Sequence, residues 1–156
     1  MSVVTEYLEE HGVPYEVIEH PRAYTSVDEA RAMGIDADEV VKTVVVDSGA
    51  RHVFAVVPGS RRLDMRRVRD ALGDPHAHLA TEDELAEDFP TFELGAFPPL
   101  GAIARAETIV DPEVARHETV VFAAGRQTES VRVQTAQLFR DEAVQFMDLT
   151  KEPGEE

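Results

Sequence analysis

The sequence predicts an α+β domain built on a mixed, largely antiparallel sheet with flanking helices. Two observations carry that expectation. The longest β-prone runs, residues 39–47 and 51–57, are separated only by the turn-forming Ser48-Gly49-Ala50, so they read as a hairpin. The remaining strand candidates also cluster, instead of alternating strictly with helices, which argues against a doubly wound parallel sheet. The 156 residues suit one domain with one core, expected over residues 1–150, followed by an acidic tail at 151–156.

Residues 2–11 carry Val4, Tyr7 and Leu8 at helical spacing, and Gly12 ends the turn. Residues 13–19 alternate and read as a first strand, and His20 to Thr25 as a loop. Ser26-Val27-Asp28-Glu29 has the form of a capping box, with Ser26 as N-cap and Glu29 reaching back to it. The helix it opens runs to Met33 and stops at Gly34. After the hairpin, Pro58-Gly59 breaks the pattern, and Asp64 caps a helix to Leu72 that Gly73 ends. His78 to Ala80 form a short strand, and Thr81 with Glu84 makes a second capping box opening a helix to Asp88.

Residues 89–101 hold three prolines and two glycines among apolar side chains, which predicts an irregular loop. A loop of that length inside a compact domain is usually functional. Residues 108–111, 118–124 and 130–135 read as strands, the last two closed by a hairpin turn at 125–129. A helix to Ala143 and a last strand over 144–149 complete the chain.

Composition narrows the classes of function. The charge of −16 repels nucleic acid at long range, so an RNA partner must be met through a local basic patch, and DNA is not expected as a partner. Arg61, Arg62, Arg66, Arg67 and Arg69 are the one basic cluster, and Arg62, Arg66 and Arg69 are the candidate phosphate contacts. The competing role for that cluster is a solvated helix face paired with carboxylates. There is no cysteine, hence no disulfide framework, thiolate metal site or cysteine nucleophile. No apolar run is long enough to span a membrane, and the acidic start does not resemble a signal peptide, so a cytoplasmic protein is expected. Phosphate-loop, dinucleotide, zinc-protease and nucleophile-elbow motifs are all missing. His76 and His78 share a strand face but are too few for a metal site, so neither metal nor cofactor is expected.

One residue stands out. Only two of the fifteen lysine and arginine residues are lysines, and one of them, Lys42, lies within Val40-Val41-Lys42-Thr43-Val44-Val45-Val46. Strand alternation puts it on the face of Val44 and Val46. Such a lysine snorkels to the surface, guards a sheet edge, or serves a ligand whose negative charge offsets its burial.

Four features occur together in a fixed order. They are His20-Pro21 with Tyr24-Thr25, the Lys42 strand and its hairpin ending at Val57-Pro58-Gly59, Gly95-Ala96-Phe97-Pro98-Pro99-Leu100-Gly101, and Ala124-Gly125-Arg126 followed by Ser130-Val131-Arg132-Val133. With these the chain, over roughly residues 3–145, resembles the YbaK/ProX family of aminoacyl-tRNA deacylases, which is similar to the editing domain inserted in bacterial prolyl-tRNA synthetases. The resemblance implies that fold and a trans-editing hydrolase guarding translation fidelity. It would cleave the ester of a small amino acid, such as Cys or Ala, wrongly joined to the 3′ end of tRNA-Pro. Its partners would be aminoacyl-tRNA and, as a candidate, prolyl-tRNA synthetase.

By resemblance, Lys42 falls on the family's strand lysine, and Thr43 on its neighbour. Gly95 and Pro99 fall on the ends of a GxxxP loop whose backbone N–H groups face a substrate carbonyl or amine. Lys42, Gly95 and Ser130 are the catalytic candidates. Tyr24, Thr25, Thr43, Pro58, Phe97, Pro98, Pro99, Gly101 and Gly125 are the substrate-binding candidates. No side-chain nucleophile is evident, so water or a substrate hydroxyl or thiol attacks; the resemblance implies substrate-assisted water attack with the terminal ribose 2′-hydroxyl taking part, while backbone N–H groups hold the oxyanion. Two positions depart from the family pattern. Ser130 stands where the nearest subfamily carries an acid, and the loop carries Phe-Pro-Pro-Leu where a smaller residue often sits. The alternative to an enzyme is a non-catalytic module that binds a tRNA end or a synthetase.

Overall fold

The computed structural model describes residues 2–140 and 143–151. Helix α1 (Val3–Glu10) leads into strand β1 (Tyr15–Glu19), then α2 (Ser26–Met33) and the hairpin β2 (Val41–Ser48) and β3 (Arg51–Pro58). Next come α3 (Met65–Leu72), β4 (His78–Leu79) and α4 (Glu82–Asp88). After the irregular segment come β5 (Glu107–Val110), the hairpin β6 (Thr119–Arg126) and β7 (Glu129–Gln134), the one-turn α5 (Thr135–Leu138) and β8 (Val144–Phe146). The helix expected to reach Ala143 ends instead at Leu138, with Phe139 as its C-cap, and the expected acidic tail beyond Lys151 lies outside the described residues.

The strands divide into two sheets. One is antiparallel, in the order β1-β7-β6; the other has the order β4-β2-β3-β5-β8. In the second sheet β4, β2 and β3 are antiparallel, whereas β5 and β8 join parallel to β3 and to each other. A single parallel bridge, Val40 to Val121, links the sheets just before β2 begins.

Alternation along β2 decides what each face buries. Val41 and Val45 enter the main core with Phe54, Phe122, Leu100 and Val131, between the two sheets and under α1. Val46 faces the other way, with Val53, Val57 and Ile109, against Val68 of α3. Most caps follow the sequence: Asp64 accepts from the Arg66 N–H, Gly34 and Gly73 end their helices in the left-handed region, and Thr81 and Glu84 form a reciprocal box. The opening of α2 differs. Its cap is Thr25, whose hydroxyl accepts from the Asp28 N–H, and not Ser26. Moving the cap back one residue removes Glu29 from the position that reaches back to a cap, and its side chain is buried instead.

Residues 89–101 are irregular, as their prolines and glycines dictate, but they are anchored. The pairing of β6 with β7 slips between Ala123 and Arg126, and Gly125 sits in the slip at φ +89°. There its N–H donates to Ala96 O at 3.0 Å and its carbonyl accepts from the Glu93 N–H at 2.9 Å. Phe97 locks the segment from the other side, with Phe54, Phe89 and Phe92 rings packed around it at 6.1, 5.5 and 5.2 Å between centroids. A Cβ on Gly125 would be strained by its φ and would press on Phe92 at 3.2 Å. Gly125→Ala should therefore lower the urea midpoint by about 1–2 kcal/mol of stability. It should also speed hydrogen exchange at Glu93 and Gly125; unchanged exchange there would show that the slip does not hold the loop.

Candidate active site

The first half of β2 has a strand partner on one side only. β3 pairs along its whole length, but β4 reaches only Val46 and Asp47. A cavity of about 280 Å³ lies along the unpaired part, walled by Val41, Lys42, Thr43 and Val44. Tyr24 to Val27 and Glu29 from the start of α2, Gly95 and Phe97 from the anchored loop, Gly59, and Ala123 of β6 complete it.

Close backbone approach builds this enclosure. Gly59 donates to Val40 O, and a Cβ there would meet Ser26 Cβ at 2.8 Å. At Gly95, φ is +77° and a Cβ would lie 2.2 Å from the Tyr24 carbonyl oxygen, so only glycine fits. The loop and the N-terminus of α2 thus meet backbone to backbone across the cavity mouth, where the Tyr24 ring is 61% exposed.

Lys42 is half-buried on this wall. Burial pushes its ammonium pKa below the ordinary lysine value, and the positive charge of Arg62 pushes in the same direction. An anion entering the cavity would offset both costs. Thr43 Oγ1 is buried without a hydrogen-bond partner among the described residues. The Gly95 and Phe97 N–H groups likewise donate to no protein acceptor among the described residues. Unused donors on a cavity wall are what a carbonyl or oxyanion requires.

The cavity also holds a group that the sequence does not flag. Glu29 is 5% exposed, and burial raises its pKa to about 7 even though it accepts a hydrogen bond from Ser130. The capping-box pattern conceals it, because its spacing from Ser26 assigns it to the helix end. Ser130 itself does not line the cavity. It is fully buried behind Glu29, between that carboxylate and His20, so its hydroxyl is not on the wall where a catalytic residue was expected.

Of the other sequence candidates, Tyr24, Thr25, Thr43 and Phe97 lie on the wall with Lys42 and Gly95. Pro58, Pro98, Pro99, Gly101 and Gly125 do not. Pro58 is buried at the end of β3, and the adjacent Gly59 takes the place at the cavity. Pro98 and Pro99 are buried beyond Phe97, and Gly101 is pressed against Ala106 O and Thr108. The arginines separate as well. Arg62 is exposed and close enough to Lys42 to act on its charge. Arg66 and Arg69 border a different concavity with Asp70 and Asp74, where Arg69 donates to Ala77 O.

The family profile described as the aminoacyl-tRNA editing domain matches residues 20–140, most of the chain and the whole of the cavity wall. The chain belongs to the aminoacyl-tRNA editing domain family. It is 25% identical over 152 residues to the proline--tRNA ligase of Thermosipho melanesiensis, covering 96% of this chain and 26% of that protein. It thus spans about a quarter of that ligase. It is 23% identical over 147 residues to the "Putative Cys-tRNA(Pro)/Cys-tRNA(Cys) deacylase EbsC" of Enterococcus faecalis, covering 92% of this chain and 89% of that one. The crystal structure of "a putative trans-editing enzyme for prolyl tRNA synthetase" superposes with a TM-score of 0.83 at 26% identity, over 96% of this chain and 95% of that one. The mixed α+β fold expected from the sequence is the fold of this editing domain. Among the described residues, no helix is long and apolar enough to cross a membrane.

Glu29 gives a stability test. Its carboxyl pKa is raised on folding from 4.5 to about 7, so the native state holds the extra proton between those values. The stability this confers is full below pH 4.5 and is lost as pH rises to about 7. Glu29→Gln removes the titration. Relative to wild type it should gain on the order of 3 kcal/mol between pH 4 and pH 8, read from urea midpoints at both. An equal difference at the two pH values would show that Glu29 is not held protonated.

Proposed function

We propose that this protein is an aminoacyl-tRNA deacylase that hydrolyses the ester of a small amino acid, such as Cys or Ala, wrongly joined to tRNA-Pro. The observation that carries this reading is the cavity itself: about 280 Å³ inside the editing-domain fold, lined by the half-buried Lys42, by Thr43, and by Gly95 and Phe97, whose N–H groups have no protein acceptor among the described residues.

The chemistry follows from those groups. Water addition to the ester carbonyl turns its oxygen into an oxyanion, and preorganised donors lower that barrier most. The Gly95 and Phe97 N–H groups are the donors, held in place by the Gly125 anchor and the aromatic cluster. An anion, either the terminal phosphate of the tRNA or the oxyanion, offsets the cost of burying the Lys42 charge, and low dielectric strengthens the contact. The ribose hydroxyl beside the ester helps to orient the water. A second sieve at this cavity would act on the size and shape of the amino acid side chain. Arg62 extends the positive charge of Lys42 toward the mouth, where it would meet the RNA backbone. On this reading the protein works in the cytoplasm on charged tRNA, with prolyl-tRNA synthetase as its candidate partner.

The deciding experiment incubates alanyl-, cysteinyl-, seryl- and prolyl-tRNA(Pro) with wild type and with Lys42→Ala. The expected result is rapid loss of a non-cognate amino acid, with prolyl-tRNA spared, and a fall of about 10²–10³-fold in kcat/KM for the variant while its far-UV spectrum is unchanged. Tight tRNA binding with no hydrolysis of any charged tRNA would overturn the reading in favour of a non-catalytic binding module.

A further inference from the structure

Glu29 is the one acidic side chain on the cavity wall, and the reaction described above does not use it. Its hydrogen-bond partners define what it can do. Ser130 Oγ lies against Glu29 Oε2 and, on its other side, 2.8 Å from His20 Nε2. His20 Nδ1 is 2.8 Å from Pro21 O, a carbonyl that can only accept, so Nδ1 carries a hydrogen.

The serine has one proton to give, which leaves two arrangements that satisfy all three contacts. In the first, Glu29 is a carboxylate, Ser130 donates to it, and His20, protonated on both nitrogens, donates Nε2–H to Ser130. In the second, Glu29 is the acid and donates to Ser130, which donates to the bare Nε2 of His20. The two have the same number of protons and interconvert by one hop at each bond. Removing one more proton leaves Ser130 able to serve only one neighbour, so a contact is lost. The three side chains therefore hold one titrating proton in common. The chain spans from the cavity to the half-buried histidine at the end of β1. The other titratable groups on the cavity wall are Lys42 on β2 and Tyr24 before α2, and neither is a cause of the raised Glu29 pKa.

We propose that Glu29, Ser130 and His20 form a proton relay in which Glu29 takes the proton from the attacking water and returns it to the leaving group. This rests on the deacylase reading above. In the working form the relay has lost its shared proton and Glu29 is a carboxylate. The water oxygen bonds to the ester carbon, its proton passes to Glu29, and the carbonyl electron pair becomes the oxyanion. While the intermediate lasts, the proton is shared through Ser130 with His20. On collapse the carbon–oxygen bond to the ribose breaks, and that oxygen takes the proton back from Glu29, leaving free amino acid and tRNA. Glu29 is the catalytic group of the relay, and Ser130 and His20 are positioning residues.

The test has two arms. In the first, ¹⁵N signals of His20 are followed against pH in wild type, Glu29→Gln and Ser130→Ala. The relay predicts that both variants change the titration profile of His20, and that its Nδ1 remains protonated throughout. A profile identical in wild type and Glu29→Gln would overturn the relay. In the second, kcat/KM for the active charged tRNA is measured from pH 5.5 to 9. Wild type should rise about tenfold per pH unit to a plateau. Glu29→Gln should fall by about 10²-fold or more and lose the rise. Ser130→Ala, which keeps the carboxylate, should retain the rise and shift its midpoint, a change that a purely structural serine would not produce. A Glu29→Gln profile matching wild type would overturn the catalytic role. If wild type deacylates nothing, the deacylase reading and the role of Glu29 in it fall together, and the His20 signals alone decide whether the three groups share a proton.

Discussion

A strand that is paired on one side and covered on the other sets the terms for the whole site. Had β4 continued along β2, its ladder would have filled the space where the cavity lies, and Lys42 would be an ordinary cross-strand residue. Because β4 stops at Val46, the edge of residues 41–44 is sealed by a helix start and a loop instead. Neither supplies a ladder, so the space between them remains open. The approaches at Gly59 and Gly95 make the seal tight enough to take Lys42 out of water, and a lysine out of water seeks an anion. Covering also removes the hazard of an exposed β edge, so one arrangement serves both folding and function.

The same enclosure bears on the proposal that a chain with a charge of −16 receives RNA. Long-range steering is unfavourable, so affinity must come from short-range contacts where the local field is positive. Arg62 is near enough to raise the cost of the Lys42 charge, a cost that a phosphate between them would reverse. Arg66 and Arg69, which sequence proximity groups with Arg62, lie on α3 and border a separate concavity with Asp70 and Asp74, whereas Arg62 precedes the helix.

Legibility followed the physics of locality. The β2–β3 hairpin, the caps of α3 and α4 and the anchored apolar loop were all readable, because each is specified by a few consecutive residues. The division into two sheets and the parallel addition of β5 and β8 were not, since pairing between distant strands leaves no local pattern. Glu29 shows the most instructive failure. It was legible as a capping residue, but a threonine one position earlier took the cap, and tertiary burial against Ser130 decided its role. Ser130 read as a departure from the family pattern, and in the structure it donates to the carboxyl of Glu29. Gly101, Gly125, Pro98 and Pro99 read as site residues because they belong to the motifs that carry the resemblance. Gly125 and its neighbours instead hold the segment that carries Gly95 and Phe97.

The central claim is that burial on the cavity wall disfavours the charge of Lys42 and that an anionic substrate end offsets that cost. The chain has only two lysines, so ¹³C-labelling at lysine Cε gives two signals, and Lys42→Arg assigns them. The measurement is the pH titration of the Lys42 signal, free and bound to a hydrolysis-resistant aminoacyl-amide analogue of the tRNA 3′ end. The account predicts a midpoint below the ordinary lysine value in the free protein and a rise on binding. A Lys42 that titrates as an ordinary lysine and does not respond to the analogue would contradict it.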